Sequence, residues 1–218
     1  MRIRSFIIAY TLVLAILLFA ERRPDPGRQD RYSHVVDLTD AQNSNGLRTA
    51  SASDSRTRII SPAALIPGTW AAGQIPAERL VAPLAVMDLK VSLESVSPIS
   101  LDDIAAWESS HGVVPQGAIV AIRRASASSQ FSNALPITAD AAQFLMDARY
   151  TLGFVIEASA DLTSDRTLAR QLALHGNYVV EGTARLTSLP QTGSLVIVAP
   201  AKNRNAAQAP VRVLAMVR

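Results

Sequence analysis

The sequence predicts a mixed α/β domain that follows an apolar N-terminal segment. Predicted strands outnumber predicted helices and are interleaved with them along the chain, which is typical of this class. Apolar residues make up 49% of the 218 residues and charged residues 18%, so the chain can bury a large core. This composition excludes a disordered chain and a coiled coil.

Short runs of apolar and β-branched residues predict the strands. They cover residues 33–39, 84–91, 117–123, 152–157, 178–181, 195–199 and 211–217. Capping residues and apolar spacing predict three helices, over residues 100–110, 138–150 and 167–175. Ser100 begins the first of these helices and Gly176 ends the third. The polar stretches over residues 40–61 and 126–133 are predicted to be loops.

The first twenty residues have the layout of a secretory signal peptide. Two arginines precede an uninterrupted apolar run over residues 6–20, and a charged, turn-rich linker follows over residues 21–31. The run is shorter than the roughly 20 residues of a full membrane span. A retained membrane anchor and a buried helix of the domain remain alternatives. We expect the domain, residues 32–218, to be exported (periplasmic or extracellular) or to be tethered to a membrane through residues 6–20 only.

The residues that are absent or rare exclude several kinds of site. The chain has no Cys, which excludes disulfides, Cys-ligated zinc, iron–sulfur clusters and a thiol nucleophile. Only His34, His111 and His175 could supply an imidazole. The net charge is +3 and aromatic residues make up 5%. Because no basic cluster is interleaved with aromatic residues, we expect no nucleic-acid partner.

Several segments together point to a known family. In order, they are HVVDLT, GTW, PAERLVAPLAVMDL, ISLDDIAAWE, VPQGAIVAIRR, LPITADAAQFL, LARQLALHGNYVVEG, LTSLP and APVRVLAMV. In this order and spacing, residues 34–217 resemble the cyclase family of metal-dependent hydrolases, whose best-known members are bacterial kynurenine formamidases (arylformamidases). The resemblance implies a compact, mixed β/β/α fold of the swivelling-domain type and a possible homodimer. By ancestry, it implies hydrolysis of an amide or formyl-amide bond with zinc or another divalent metal.

The family's metal motif has the form His-x-Gly-Thr-His-x-Asp-x-Pro, and a His and a Glu follow later in the chain. Gly68 and Thr69 match the Gly-Thr pair. The resemblance implies a former metal cleft. Its other positions fall on Ile66, Trp70, Ala72, Ala169 and Glu181. Only Glu181 is of a ligand type, so we expect no metal or other cofactor and assign no catalytic residue. Trp70 is expected to fill the former metal space.

The sequence leaves three hypotheses about function. The first is a degenerate, inactive family member that binds a small molecule or a partner without metal. The second is an active hydrolase with an unusual site around Glu181, and the third is an exported envelope-interaction module. The alternative to a functional role for Glu181 is a structural one, as a buried or strand-end acid that is satisfied by neighbouring backbone or by Arg170.

Overall fold

The computed structural model describes residues 32–40, 56–90, 97–123 and 134–218. The predicted apolar run over residues 6–20, the linker over residues 21–31 and the predicted loop over residues 126–133 lie outside these ranges. Within these ranges, no helix is long and apolar enough to cross a membrane.

The described residues form eight strands and three α-helices, which confirms the mixed α/β class. The strands are β1 (His34–Asp37), β2 (Arg58–Ile60), β3 (Val81–Asp88), β4 (Ile119–Arg123), β5 (Gly153–Ile156), β6 (Tyr178–Glu181), β7 (Ser194–Pro200) and β8 (Gln208–Val217). The helices are α1 (Leu101–His111), α2 (Ala139–Ala148) and α3 (Arg166–Leu174). Every predicted strand and helix is present. Strand β2 lies in the stretch that the sequence predicted to be a loop, so that prediction is wrong at residues 58–60.

The strands close into a barrel. Their order is β1-β8-β2-β6-β5-β4-β3-β7, and β7 pairs in addition with β8, so the seven strands from β8 to β7 form a closed ring. Strand β1 pairs with β8. Strands β3, β4, β5 and β6 run parallel to one another, whereas the remaining pairs are antiparallel. Because side chains alternate along each strand, the sheet has an inner and an outer face.

Each face of the sheet carries its own apolar core. The inner core fills the barrel and contains side chains such as Leu84, Val180 and Val213, together with the fully buried ring of Tyr178. The outer core lies between the parallel strands and the helices, which contribute Leu145 and other residues. Helices therefore cover the outer face of the parallel strands.

The carboxyl ends of β3, β4 and β6 meet at one edge of the sheet, and each ends on an ionised side chain. At the ends of β3 and β4, Arg123 binds both carboxylate oxygens of Asp88, at 2.5 and 2.9 Å, and donates to the carbonyl oxygens of Leu186 and Leu189. The hydrogen bonds from Arg123 hold the pKa of Asp88 below its usual value. The hydrogen bonds from Arg123 to these carbonyl oxygens link the turn Leu186–Ser188 to the sheet. The end of β6 carries Glu181.

Candidate functional site

Glu181 is the most buried carboxylate in the described part of the chain, with 3% of its surface exposed. It ends β6 and faces the helix side of the sheet, as Val179 does two residues earlier. Its Oε2 accepts hydrogen bonds from the hydroxyl of Ser159 and the backbone N–H of Ala160, each at 2.9 Å. Both donors belong to the segment that follows β5, so this segment and β6 together fix the carboxylate.

The other carboxylate oxygen of Glu181 is bound by a guanidinium. Arg58 lies directly opposite Glu181 in the β2–β6 pair, and its Nη2 donates to Oε1 at 2.9 Å. The side chain of Arg58 is 45% exposed, whereas that of Glu181 is 3% exposed. The ion pair therefore has a buried anionic end and a cationic end that reaches solvent. The sequence-based interpretation expected backbone or Arg170 to satisfy Glu181; backbone does contribute, but the bound cation is Arg58 rather than Arg170.

A network of short hydrogen bonds holds the start of β2 at this position. The Thr57 hydroxyl donates to the carbonyl oxygen of Gly182 at 2.7 Å and accepts from the backbone N–H of Asp40, also at 2.7 Å. Gly182 has a φ of +67°, and a Cβ there would lie 2.2 Å from the carbonyl oxygen of Arg56. Only glycine therefore allows the chain after Glu181 to pass so close to β2.

The structure does not gather the five positions of the expected metal cleft in one place. Ala72 packs in the inner core of the barrel, whereas Glu181 faces the outer side of the sheet. Trp70 is 39% exposed, and its ring lies against Gly176, which precedes β6. Glu181 is the last residue of that strand, about 10 Å from its first residue, Tyr178. The expectation that Trp70 fills a buried metal space is therefore wrong. Ile66 and Ala169 are both half-buried, Ile66 in a turn and Ala169 on α3.

The comparisons with known proteins agree with this architecture. The Cyclase family model ("Putative cyclase") matches residues 28–160, which is more than half of the chain. The chain belongs to the Cyclase family. No curated protein matches the sequence significantly.

Solved structures share the fold of this cyclase-family chain over most of their length. Isatin hydrolase A from Labrenzia aggregata, bound to benzyl benzoate, is 25% identical, with a TM-score of 0.68 over 84% of this chain and 93% of that chain. Isatin hydrolase A from Ralstonia solanacearum is 22% identical, with a TM-score of 0.65 over 85% and 92%. A predicted metal-dependent hydrolase from Bacillus stearothermophilus is 24% identical, with a TM-score of 0.60 over 85% and 98%.

A different alignment of the metal motif places its positions beside Glu181 in this cyclase-family chain. If the motif starts at residue 54, its Thr and Pro fall on Thr57 and Pro62, and its second His and its Asp fall on Arg58 and Ile60. Arg58 and Ile60 lie on the same face of the sheet as Glu181, because they pair with Glu181 and Val179. The sequence analysis missed this alignment because Gly68-Thr69 supplies a second, more obvious match. The five-residue spacing of Thr57 and Pro62 was the signal that could have revealed it.

The donor set around Glu181 does not fit a divalent metal. In the described ranges, no three His, Cys, Asp or Glu side chains lie close enough together to hold a metal ion. The carboxylate oxygens already accept three hydrogen bonds, and one donor is a cation that would repel a second cation. Among the histidines, His111 is bound to its own helix through the carbonyl oxygen of Trp107, and His175 binds Asp147 on a neighbouring helix.

Two further carboxylates that follow β5, those of Asp161 and Asp165, have local structural roles. Asp165 caps α3 by accepting from the backbone N–H groups of Thr167 and Leu168. Asp161 accepts from the hydroxyl and the backbone N–H of Thr163, and these bonds lower its pKa. Asp165 is therefore a helix cap, whereas Asp161 stabilises a turn before α3.

Proposed function

We propose that this cyclase-family protein binds a small ligand without a divalent metal and does not hydrolyse amide bonds. The observation that carries the proposal is the ion pair between Arg58 and Glu181. A guanidinium cannot lower the pKa of a bound water as a metal ion does, because it offers no vacant coordination position. Glu181 is also a poor general base, since both of its oxygens already accept hydrogen bonds from the protein.

An active hydrolase with an unusual site around Glu181 is the second candidate. The 25% identity to isatin hydrolase A over most of both chains favours it. In that case Glu181 would have to exchange Arg58 for a metal ion or for a water molecule. The two candidates therefore differ in whether Glu181 stays bound to Arg58 when the protein functions.

Metal content and turnover distinguish these candidates in one preparation of the full-length protein. We expect no stoichiometric zinc or manganese by elemental analysis, and no hydrolysis of isatin or N-formylkynurenine above that of a Glu181→Ala variant. Addition of either metal should leave both results unchanged. One tightly held metal ion per chain that is lost in Glu181→Ala, together with turnover of either compound, would establish the hydrolase instead.

We also propose that the domain acts outside the cytoplasm, either released or held at a membrane through residues 6–20. The positively charged start and the apolar run of the sequence support this location. Such a location suits an envelope interaction module that forms a homodimer and binds no nucleic acid. Fractionation of a C-terminally tagged protein tests the location. A cytoplasmic, soluble pool of chains that keep residues 1–20 would contradict it.

A further inference from the structure

The guanidinium of Arg58 has donor capacity that the protein does not use. Arg58 donates to Glu181 through Nη2 only, and in the described part of the chain Nη1 and Nε bind no other group. A guanidinium offers five N–H donors in a planar fork that matches a carboxylate. Because 45% of the side chain is exposed, these donors are accessible to a molecule from solvent.

The position of this guanidinium is fixed from three sides. The backbone of Arg58 lies between β6 and β8, since it pairs with Glu181 on one side and with Pro210 on the other. The carboxylate that holds Nη2 is itself held by Ser159 and Ala160. A ligand that binds Arg58 therefore meets a donor that is already ordered, which reduces the entropy lost on binding.

Apolar residues accompany Arg58 on the same side of the sheet. Ile60 belongs to the outer core, and Ala64, Leu65 and Ala160 pack against that core while remaining partly exposed. Ala64 lies in the turn Pro62–Ala64 that follows β2. Ala160 also donates its backbone N–H to Glu181, so an apolar residue lies next to the carboxylate that holds Arg58. This favours a ligand with an apolar body over a highly charged molecule.

We propose that Arg58 binds the carboxylate of a small monocarboxylic acid with an apolar body, and that Glu181 serves as the positioning residue for the guanidinium. This inference rests on the proposed function, because it requires a site without metal. The ligand carboxylate accepts from the outward N–H groups of Arg58, and no covalent bond forms or breaks. The charge-assisted contact distinguishes an acid from its neutral amide.

Titration of the full-length protein with benzoate and with isosteric, neutral benzamide, each with and without EDTA, tests the proposal. Nuclear magnetic resonance shifts up to about 20 mM ligand cover dissociation constants in the millimolar range. We expect benzoate to bind at least about tenfold more tightly than benzamide. Arg58→Gln should abolish this preference, and Arg58→Lys should retain part of it, because lysine keeps the charge and loses the fork.

Arg212→Gln is the matched control, since Arg212 is also an exposed strand arginine paired with a carboxylate, that of Asp37 at 3.0 Å. It should leave benzoate binding unchanged. Equal binding of benzoate and benzamide, or no binding of benzoate, would overturn the proposal, and neither result depends on whether a variant folds. Benzoate binding that EDTA abolishes would show that a metal is the acceptor and would refute the proposed function as well. A metal-free protein that binds no benzoate would refute only the inference about Arg58.

Discussion

Replacing Arg58 by methionine should destabilise the protein by about 2 kcal/mol. The substitution keeps an unbranched side chain and removes the cation from a carboxylate that is 3% exposed. Glu181 would keep the hydrogen bonds from Ser159 and Ala160 and would lose one of its three donors. A hydrogen bond to a charged group contributes about 1.5–3 kcal/mol. Breaking a fully buried pair costs about 3–5 kcal/mol, but solvent reaches the guanidinium, so the lower range applies.

A double-mutant cycle with Glu181→Gln separates the ion pair from other effects of each substitution. We expect a coupling free energy of about 1–2 kcal/mol between the two positions, measured by urea denaturation followed by tryptophan fluorescence. Arg212→Met provides the control, because its pair with Asp37 is exposed on both sides and should contribute less than about 1 kcal/mol. If Arg58→Met cost no more than Arg212→Met, Glu181 would not need the guanidinium, and the reasoning that a protein cation occupies this site would fail.

The other predictions concern the ion pair at the ends of β3 and β4 and the glycine after β6. Arg123 lowers the folded-state pKa of Asp88 below the unfolded value of about 3.9, so the stabilisation is present above that value and is lost as pH falls through the folded pKa. Asp88→Asn should therefore lower the free energy of unfolding by about 1 kcal/mol near neutral pH and by less below about pH 3.5; equal losses in urea denaturation at both pH values would contradict this. Gly182→Ala should cost more than about 3 kcal/mol, because left-handed strain of about 1–2 kcal/mol adds to the contact with the Arg56 carbonyl. Gly193→Ala, with a φ of +87° and open space around it, should show the strain alone, and similar melting temperatures for the two variants would disprove the close contact.

Local signals were sufficient to predict the helices. Ser100 accepts from the backbone N–H of Asp103, and Asp165 caps α3, so both helices begin where short polar side chains precede an apolar pattern. Gly176 follows α3 with a φ of +67°, as expected for a residue that ends a helix. These features depend on neighbours within a few residues and are therefore visible in the sequence.

Strand β2 and the site beside it could not be predicted from local signals. Arg58–Ile60 is too short for alternation to be recognised, and its place in the sheet depends on pairing with residues at least 119 positions away. Glu181 was identified from the resemblance, but its partner was not, because the cation comes from this unrecognised strand. The closure of the barrel likewise depends on distant pairings, those of β3 with β7 and of β2 with β8, which no short window of sequence contains.

The triple pairing of β8 has a consequence for synthesis on the ribosome. Residues 208–217 contact β1, β2 and β7, so three strands made earlier have open edges until this stretch emerges from the exit tunnel. Exposed strand edges are templates for association between chains, and such long-range pairing is slow to form. Nascent chains of this protein are therefore most exposed to aggregation and to chaperone binding after β1 and β2 have emerged and before residues 208–217 leave the tunnel.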